Sequence, residues 1–364
     1  MHLKKHILNL NWMILMDIME EPSISAIELE KILYFATKGI KVFNIIKASV
    51  NMGLFDLLEI EHSCSDLSKK FAIDYDIIYY ILESLVKLGL IEENNGNYKN
   101  NEISSIFLNS DSHFQRKNMI KSLNQPLAYW NDLENILHSK EIKQDENFFK
   151  FIIKAMAEDA VSGELQETLN IIKKYDEFKD SKTLLDIGGG HGLYAIGFKK
   201  LNPNLKAFVF DFPNVLSETK NFCDKYNSDI TLIPGNFYED DLKGMYDIIF
   251  SSYNPGGKNA KIAEKIYAAL NMNGLFINKQ YFPTKNELNL DDILNNLEWN
   301  FTNFDKSNKG KIRYTFKNDL SYDSYLKNLE DLGFDILDIF PINHHNVSFG
   351  TMAEDKIIIA KKVR

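Results

Sequence analysis

Apolar residues in the first third of the chain recur at helical spacing. The run "AIELEKILYFATKGIKVFNIIKASVNMGLFDLLE" predicts a long helix broken at Gly53. "SCSDLSKKFAI" follows, with serine and aspartate placed as N-caps, and leads into the helical "DYDIIYYILESLVKLGLI". "GLIEENNGNYKNN" then reads as two strands around an Asn95-Gly96 turn. Helix, turn, helix and hairpin together predict a winged helix over residues 1–110. "PLAYWNDLENILHS" and "ENFFKFIIKAMAEDAVSGELQETLNIIKKY" predict a helical connector over 111–180. From Thr183 the period changes. Short apolar strands ("TLLDIG", "KAFVFDF", "ITLIPG", "YDIIFSS", "GLFINKQYF", "FDILDIF", "DKIIIAKK") alternate with helices. That alternation predicts an α/β domain over 181–364, a mostly parallel Rossmann-like sheet with helices on both faces.

A winged helix invites a DNA-binding reading, and charge argues against it. The second helix of the motif carries Asp74, Asp76 and Glu83 against Lys87, the wrong sign for phosphate contacts. The whole chain of 364 residues has a net charge of −9, so no global field draws nucleic acid or acidic membrane. A packing or dimerisation role is the better reading. The N-terminal "MHLKKHILNLNWMILMDIMEE" resembles a signal peptide only at its two lysines. Asn9 and Asn11 interrupt its apolar stretch, and Asp17, Glu20 and Glu21 stand where a cleavage site needs small residues. It is expected to be an amphipathic packing arm. No apolar run is long enough to span a membrane. The two cysteines, Cys64 and Cys223, lie far apart and suit a reducing cytoplasm.

The candidate chemistry sits in "LLDIGGGHGLY" (Leu184 to Tyr194), at the end of the first predicted strand. Ligands of such sheets bind at the carboxyl ends of strands, and glycines let a ligand approach the backbone there. Gly188, Gly190 and Gly192 follow Asp186 in a D-x-G-x-G-x-G spacing, whereas pyrophosphate sites favour G-x-G-x-x-G. A carboxylate before the glycines repels a pyrophosphate but suits a ligand carrying an ammonium group, as S-adenosylmethionine does. Asp211 ends the second strand and is placed to accept hydrogen bonds from ribose hydroxyls, with Phe212 beside the adenine. Asn236 and Phe237 end the third and are placed for the adenine edge and face. Ser252, at the end of the fourth, is expected to touch the same cofactor. A nicotinamide-dependent oxidoreductase is the competing enzyme class on this sheet.

With these motifs in order, the chain resembles the class I S-adenosylmethionine-dependent methyltransferases of the caffeate and acetylserotonin O-methyltransferase type. "VNMGLFDLL", "LESLVKLGLI", "FIIKAMAEDA", "LLDIGGGHG", "VFDFPNV", "GNFY" and "YLKNLEDLGFDI" carry the likeness, which runs from about Gly39 onward. It implies a homodimer joined by the winged-helix domain, methyl transfer to a small-molecule acceptor, and no metal. It also implies an acceptor pocket lined by Trp130, Met156, Asn254, Asp292, Asn296 and Trp299.

One departure bears on mechanism. The family carries a histidine after the fourth strand that takes the proton from the acceptor hydroxyl. Here the segment is "YDIIFSSYNPGGKNAKIAEKIYAAL", with Gly256 near the histidine's place, and no histidine lies between His191 and His344. His344 and His345 follow the strand "FDILDIF" and reach the pocket if that strand runs parallel to the first five. Tyr253, flanking the transferred methyl, is the next candidate, and His191 is expected at the loop surface. Three readings stay open: methylation with an unusual base or none, other chemistry on the same cofactor site, and a silent partner protein.

Overall fold

The computed structural model describes residues 21–138, 142–144, 147–254, 257–283, 288–304, 309–342 and 353–364. The N-terminal arm, Gly256, His344 and His345 lie outside them. Contacts divide the chain into two compact units, Met1–Lys99 and Asn100–Arg364.

The first unit opens with the helix Ile27–Asn51. Gly53, at φ 74°, ends that run and caps the short helix Leu54–Leu57, as a break at glycine requires. The serine of "SCSDLSKKFAI" caps as expected, whereas its aspartate, Asp66, lies in the first turn of the helix it was expected to cap, and the next helix takes its cap from Asp74. Ser63 accepts from Asp66 N–H at the start of Cys64–Phe71, and Asp74 accepts from Asp76 and Ile77 N–H at the start of Tyr75–Lys87. Strands β2 (Ile91–Asn94) and β3 (Asn97–Asn100) form the hairpin, and both turn residues, Asn95 and Gly96, have positive φ. The sequence pattern missed β1 (His62–Ser63), two residues too short to show a period, which makes β3 the centre of a three-stranded sheet.

The second unit is built on strands β4 (Ile142–Gln144), β5 (Thr183–Ile187), β6 (Lys206–Asp211), β7 (Ile230–Pro234), β8 (Tyr246–Ser252), β9 (Leu270–Pro283), β10 (Thr302–Phe304), β11 (Phe334–Pro341) and β12 (Ala353–Lys362). Seven of these form one sheet in the order β11-β12-β9-β8-β5-β6-β7. Strands β5 to β9 pair in parallel, and β12 runs antiparallel between β9 and β11. β11 therefore points the same way as the first five strands, and its carboxyl end opens on the side of the glycine turn.

The strands are apolar on both faces because helices cover both. Leu185 and Ile187 of β5 pack with Ile262 and Ile266 of the helix Ala260–Ala269 and with Leu329 of Tyr322–Leu332. Leu184 points the other way, among Tyr194 and Phe198 of the helix Leu193–Leu201 and Phe178 of Asp176–Asp180. The second helical run of the connector is kinked. Asn147–Asp159 runs through a π-turn at Ala160–Glu164, kinked at Ser162 and Gly163, into Leu165–Ile172. β4 and β10 pair separately, in parallel.

Candidate active site

Gly188, Gly190 and Gly192 all adopt left-handed backbone (φ 63°, 53° and 70°) immediately after β5. Space as well as φ excludes side chains. A Cβ on Gly188 would meet Asn254 Cβ at 2.8 Å, and one on Gly192 would meet Thr219 Cγ2 at 2.8 Å. The turn is tied to the neighbouring strand at two points. Gly188 N–H donates to Phe210 O at 2.8 Å, and Gly190 N–H donates to Asp211 Oδ2 at 2.8 Å. The glycines thus hold a bare backbone against the end of β6.

Two carboxylates sit at this turn. Asp186 is 1% exposed under Gly189, and its Oδ2 has no hydrogen-bond partner among the described residues. Burial, reinforced by the negative charge of Asp211, pushes its carboxyl well above the usual range. Half-buried Asp211 accepts from Gly190 N–H and, through Oδ1, from Phe212 N–H at 2.7 Å. Burial raises it to about 6 even against those two donors. Each Asp211 oxygen keeps a further lone pair for an incoming hydroxyl.

The adenine candidates lie around the same rim. Phe212 is half-buried at the start of the helix Pro213–Lys225. Asn236 is buried, its Oδ1 held by Tyr238 N–H, and its Nδ2 has no partner among the described residues. Phe237 is buried beside Tyr238 and comes within 3.4 Å of a Cβ built on Gly188. Ser252 meets the Tyr194 hydroxyl. These residues suit S-adenosylmethionine: a bare backbone turn, an acceptor carboxylate at the next strand end, an orphaned buried amide donor and an orphaned buried carboxylate oxygen.

Of the acceptor-side candidates, Trp130, Asn296 and Trp299 come together around the helix Leu290–Trp299. Trp130 Nε1 donates to Glu298 Oε2 at 2.7 Å. Asn296 Oδ1 accepts from Arg313 N–H, and Trp299 packs edge-on against Tyr314. Tyr314 in turn meets Tyr281 at the end of β9. Asp292 serves the capping box of that helix with Asn289. Met156 is exposed on the helix Asn147–Asp159. Asn254 turns inward instead, donating to Ile187 O at 3.0 Å and Ser251 Oγ at 2.6 Å, so its amide pins β8 to the glycine turn.

His191 corrects the expectation of a loop-surface residue. It is 6% exposed, packed against Tyr194 and Phe222, and its Nδ1 accepts from Leu193 N–H. Burial pushes it down to about 3, so it stays neutral. The sequence reading also missed a buried polar cluster at the carboxyl ends of β8 and β9. Lys279, 0% exposed, donates to the Tyr194 hydroxyl at 2.6 Å and pairs with Glu164. Its ammonium lies 4.9 Å from the Tyr194 ring centroid and 4.7 Å from that of Tyr253. Burial pushes this lysine down, against the pull of Glu164. The polar triplet Asn278-Lys279-Gln280 inside an apolar strand was the available signal.

Comparison with known proteins bears on both units. A model of the O-methyltransferase dimerisation domain matches residues 36–110, and one of the O-methyltransferase domain matches 119–286. An uncharacterised protein of Methanocaldococcus jannaschii is 47% identical over 307 residues, 82% of each chain. Acetylserotonin O-methyltransferase of Macaca mulatta is 25% identical over 64% of this chain and 74% of its own. Among solved structures, an O-methyltransferase family protein from Burkholderia thailandensis superposes with a TM-score of 0.70 at 14% identity, covering 94% of this chain and 99% of that one. Human N-acetylserotonin methyltransferase, solved with S-adenosylmethionine, gives 0.63 at 20% identity, over 96% and 100%. Both family models fall on this chain in order, and the chain belongs to the O-methyltransferase family.

Proposed function

We propose that this protein is an S-adenosylmethionine-dependent methyltransferase acting on a hydroxyl of a small-molecule acceptor. The observation that carries this is the glycine turn itself, clamped by Asp211 through Gly190 N–H while both Asp211 oxygens keep spare acceptor capacity. When bound, S-adenosylmethionine supplies an electrophilic methyl group, and its sulfur keeps the electron pair of the bond that breaks. Asp211 accepts the ribose hydroxyls, Asp186 faces the amino-acid portion, and Phe212, Asn236 and Phe237 surround the base. Ser252 closes the site from the end of β8. Trp130, Met156 and Trp299 offer apolar surface to a flat acceptor, and Asn296 offers a polar one.

The N-terminal unit is read as a winged helix that pairs two copies into a homodimer. The two buried free cysteines suit a reducing, cytoplasmic setting. Calorimetry decides the cofactor: S-adenosylmethionine and S-adenosylhomocysteine should bind and NAD should not. Binding of NAD alone would overturn the proposal.

A further inference from the structure

Tyr253 is a non-glycine residue held at φ 47°, in the left-handed region that costs a tyrosine strain. It follows directly on β8, whose Ser251 pairs with Ile187 of β5. Asn254, next in the chain, touches the glycine turn. The strain is fixed from several sides. Tyr253 N–H donates to Lys279 O at 2.9 Å, the Lys279 ammonium stands over its ring, and its hydroxyl donates to Asp355 Oδ2 at 2.9 Å. Asp355 comes from β12, opposite Tyr281 on β9. Three strand ends therefore converge on one phenol.

Resting on the methyltransferase reading, we propose that Tyr253 and Asp355 form a proton relay that deprotonates the acceptor hydroxyl in place of the family's histidine. The acceptor O–H breaks and its proton goes to Tyr253 Oη. In the same step the proton on Tyr253 passes to Asp355 Oδ2, and the O–H electron pair stays on the acceptor oxygen, free to attack the methyl group. Half-buried Asp355 then releases the proton to solvent. Burial, with Glu164 and Asp355 nearby, pushes the Tyr253 phenol well above its usual value. It keeps its proton at rest and works as a conduit, never as a standing phenolate.

Two acceptors that differ in ionisation test the relay: catechol, protonated at neutral pH, and 4-nitrocatechol, largely ionised there. S-adenosylhomocysteine release by Tyr253→Phe and Asp355→Asn should fall about 10²–10⁴-fold with catechol, the usual contribution of a general base. With 4-nitrocatechol the loss should be under about fivefold, since an ionised acceptor gives up no proton. The absorbance of 4-nitrocatechol supplies a readout without turnover: bound to the wild type it should ionise about one pH unit lower than when bound to either variant. Equal losses with both acceptors, or an unchanged ionisation midpoint, would refute the relay. So would full catechol activity in Tyr253→Phe combined with its loss in a His344→Ala/His345→Ala double variant. If the wild type binds no S-adenosylmethionine, the methyltransferase reading falls first and the relay with it. Binding and turnover that ignore Tyr253 would sink the relay alone.

Discussion

Asp211 is pulled in two directions. Burial raises its carboxyl to about 6, while ligand hydroxyls that donate to it favour the ionised form. In the free protein its folded value lies above the unfolded one. Its contribution to stability is therefore full below about pH 4 and lost as pH rises through about 6. Cofactor binding has the opposite sign, because it needs the ionised carboxylate. Affinity for S-adenosylmethionine, followed by calorimetry, should weaken about tenfold from pH 7 to pH 5. Asp211→Ala should cost about 1.5–3 kcal/mol of binding at pH 7, and Asp211→Asn should flatten the pH dependence. Two glycines make a second comparison at this scale. Gly190 has φ 53°, and its added Cβ would meet Ile153 Cδ1 at 2.9 Å, whereas a Cβ on helical Gly39 meets nothing within 4 Å. Thermal unfolding should show Gly190→Ala destabilised by about 1–2 kcal/mol. Gly39→Ala should be neutral or up to about 1 kcal/mol more stable. Equal effects at the two positions would mean that the turn's backbone is not what the glycines protect.

At the level of elements, Lys279 and Glu164 join β9 to the π-turn that follows the helix Asn147–Asp159. Lys279 is fully buried and Glu164 keeps a fifth of its side chain in contact with solvent. Breaking such a pair from one side leaves an uncompensated charge, which costs about 3–5 kcal/mol. Lys279→Met should fall near the lower limit, because Glu164 still reaches water. Replacing both, as Lys279→Met with Glu164→Leu, should recover most of the loss. Denaturant titrations of the two singles and the double would measure this, and additive losses would show that the two residues do not act as a pair. These elements also mark where the chain was legible as sequence and where it was not. The sheet strands were found because burial on both faces writes them as mostly apolar runs, and the cap at Ser63 because its chemistry is local. β4 and β10 were not, since Ile-Lys-Gln and Thr-Asn-Phe are too short to carry a period. The kink at Ser162–Gly163 was hidden by apolar spacing that continues straight through it. In the site, the glycine turn was readable because left-handed backbone demands that residue type at fixed places along the chain. The link from Tyr253 to Asp355 was not. It joins residues 102 positions apart through an antiparallel strand, and no local pattern encodes that pairing.

At the scale of the whole molecule, the described residues of the first unit leave large apolar side chains exposed. On the helix Ile27–Asn51, Leu29, Ile32, Leu33, Tyr34 and Phe35 are all exposed, Phe35 to 80%. The helix Tyr75–Lys87 of the same unit adds Tyr75, Ile77 and Tyr80. Exposure of this many large apolar side chains on one unit marks an interaction surface. The match of residues 36–110 to a dimerisation domain argues that the occupant is a second copy. A symmetric dimer uses the same patch on both copies, so one truncation removes both halves of the contact. Light scattering should report about twice 42.1 kDa for the full chain. Deleting residues 1–36 takes away the most exposed part of that helix while leaving its buried end at Ser49 and Val50. The truncated protein should shift toward monomer on dilution to micromolar concentration, with the cofactor still binding, since every residue assigned to that site lies in the second unit. A full-length monomer would remove the case for pairing. A truncated chain as tightly dimeric as the full one would move the contact to the helix Tyr75–Lys87, and Tyr80→Lys would then be the change that separates the copies.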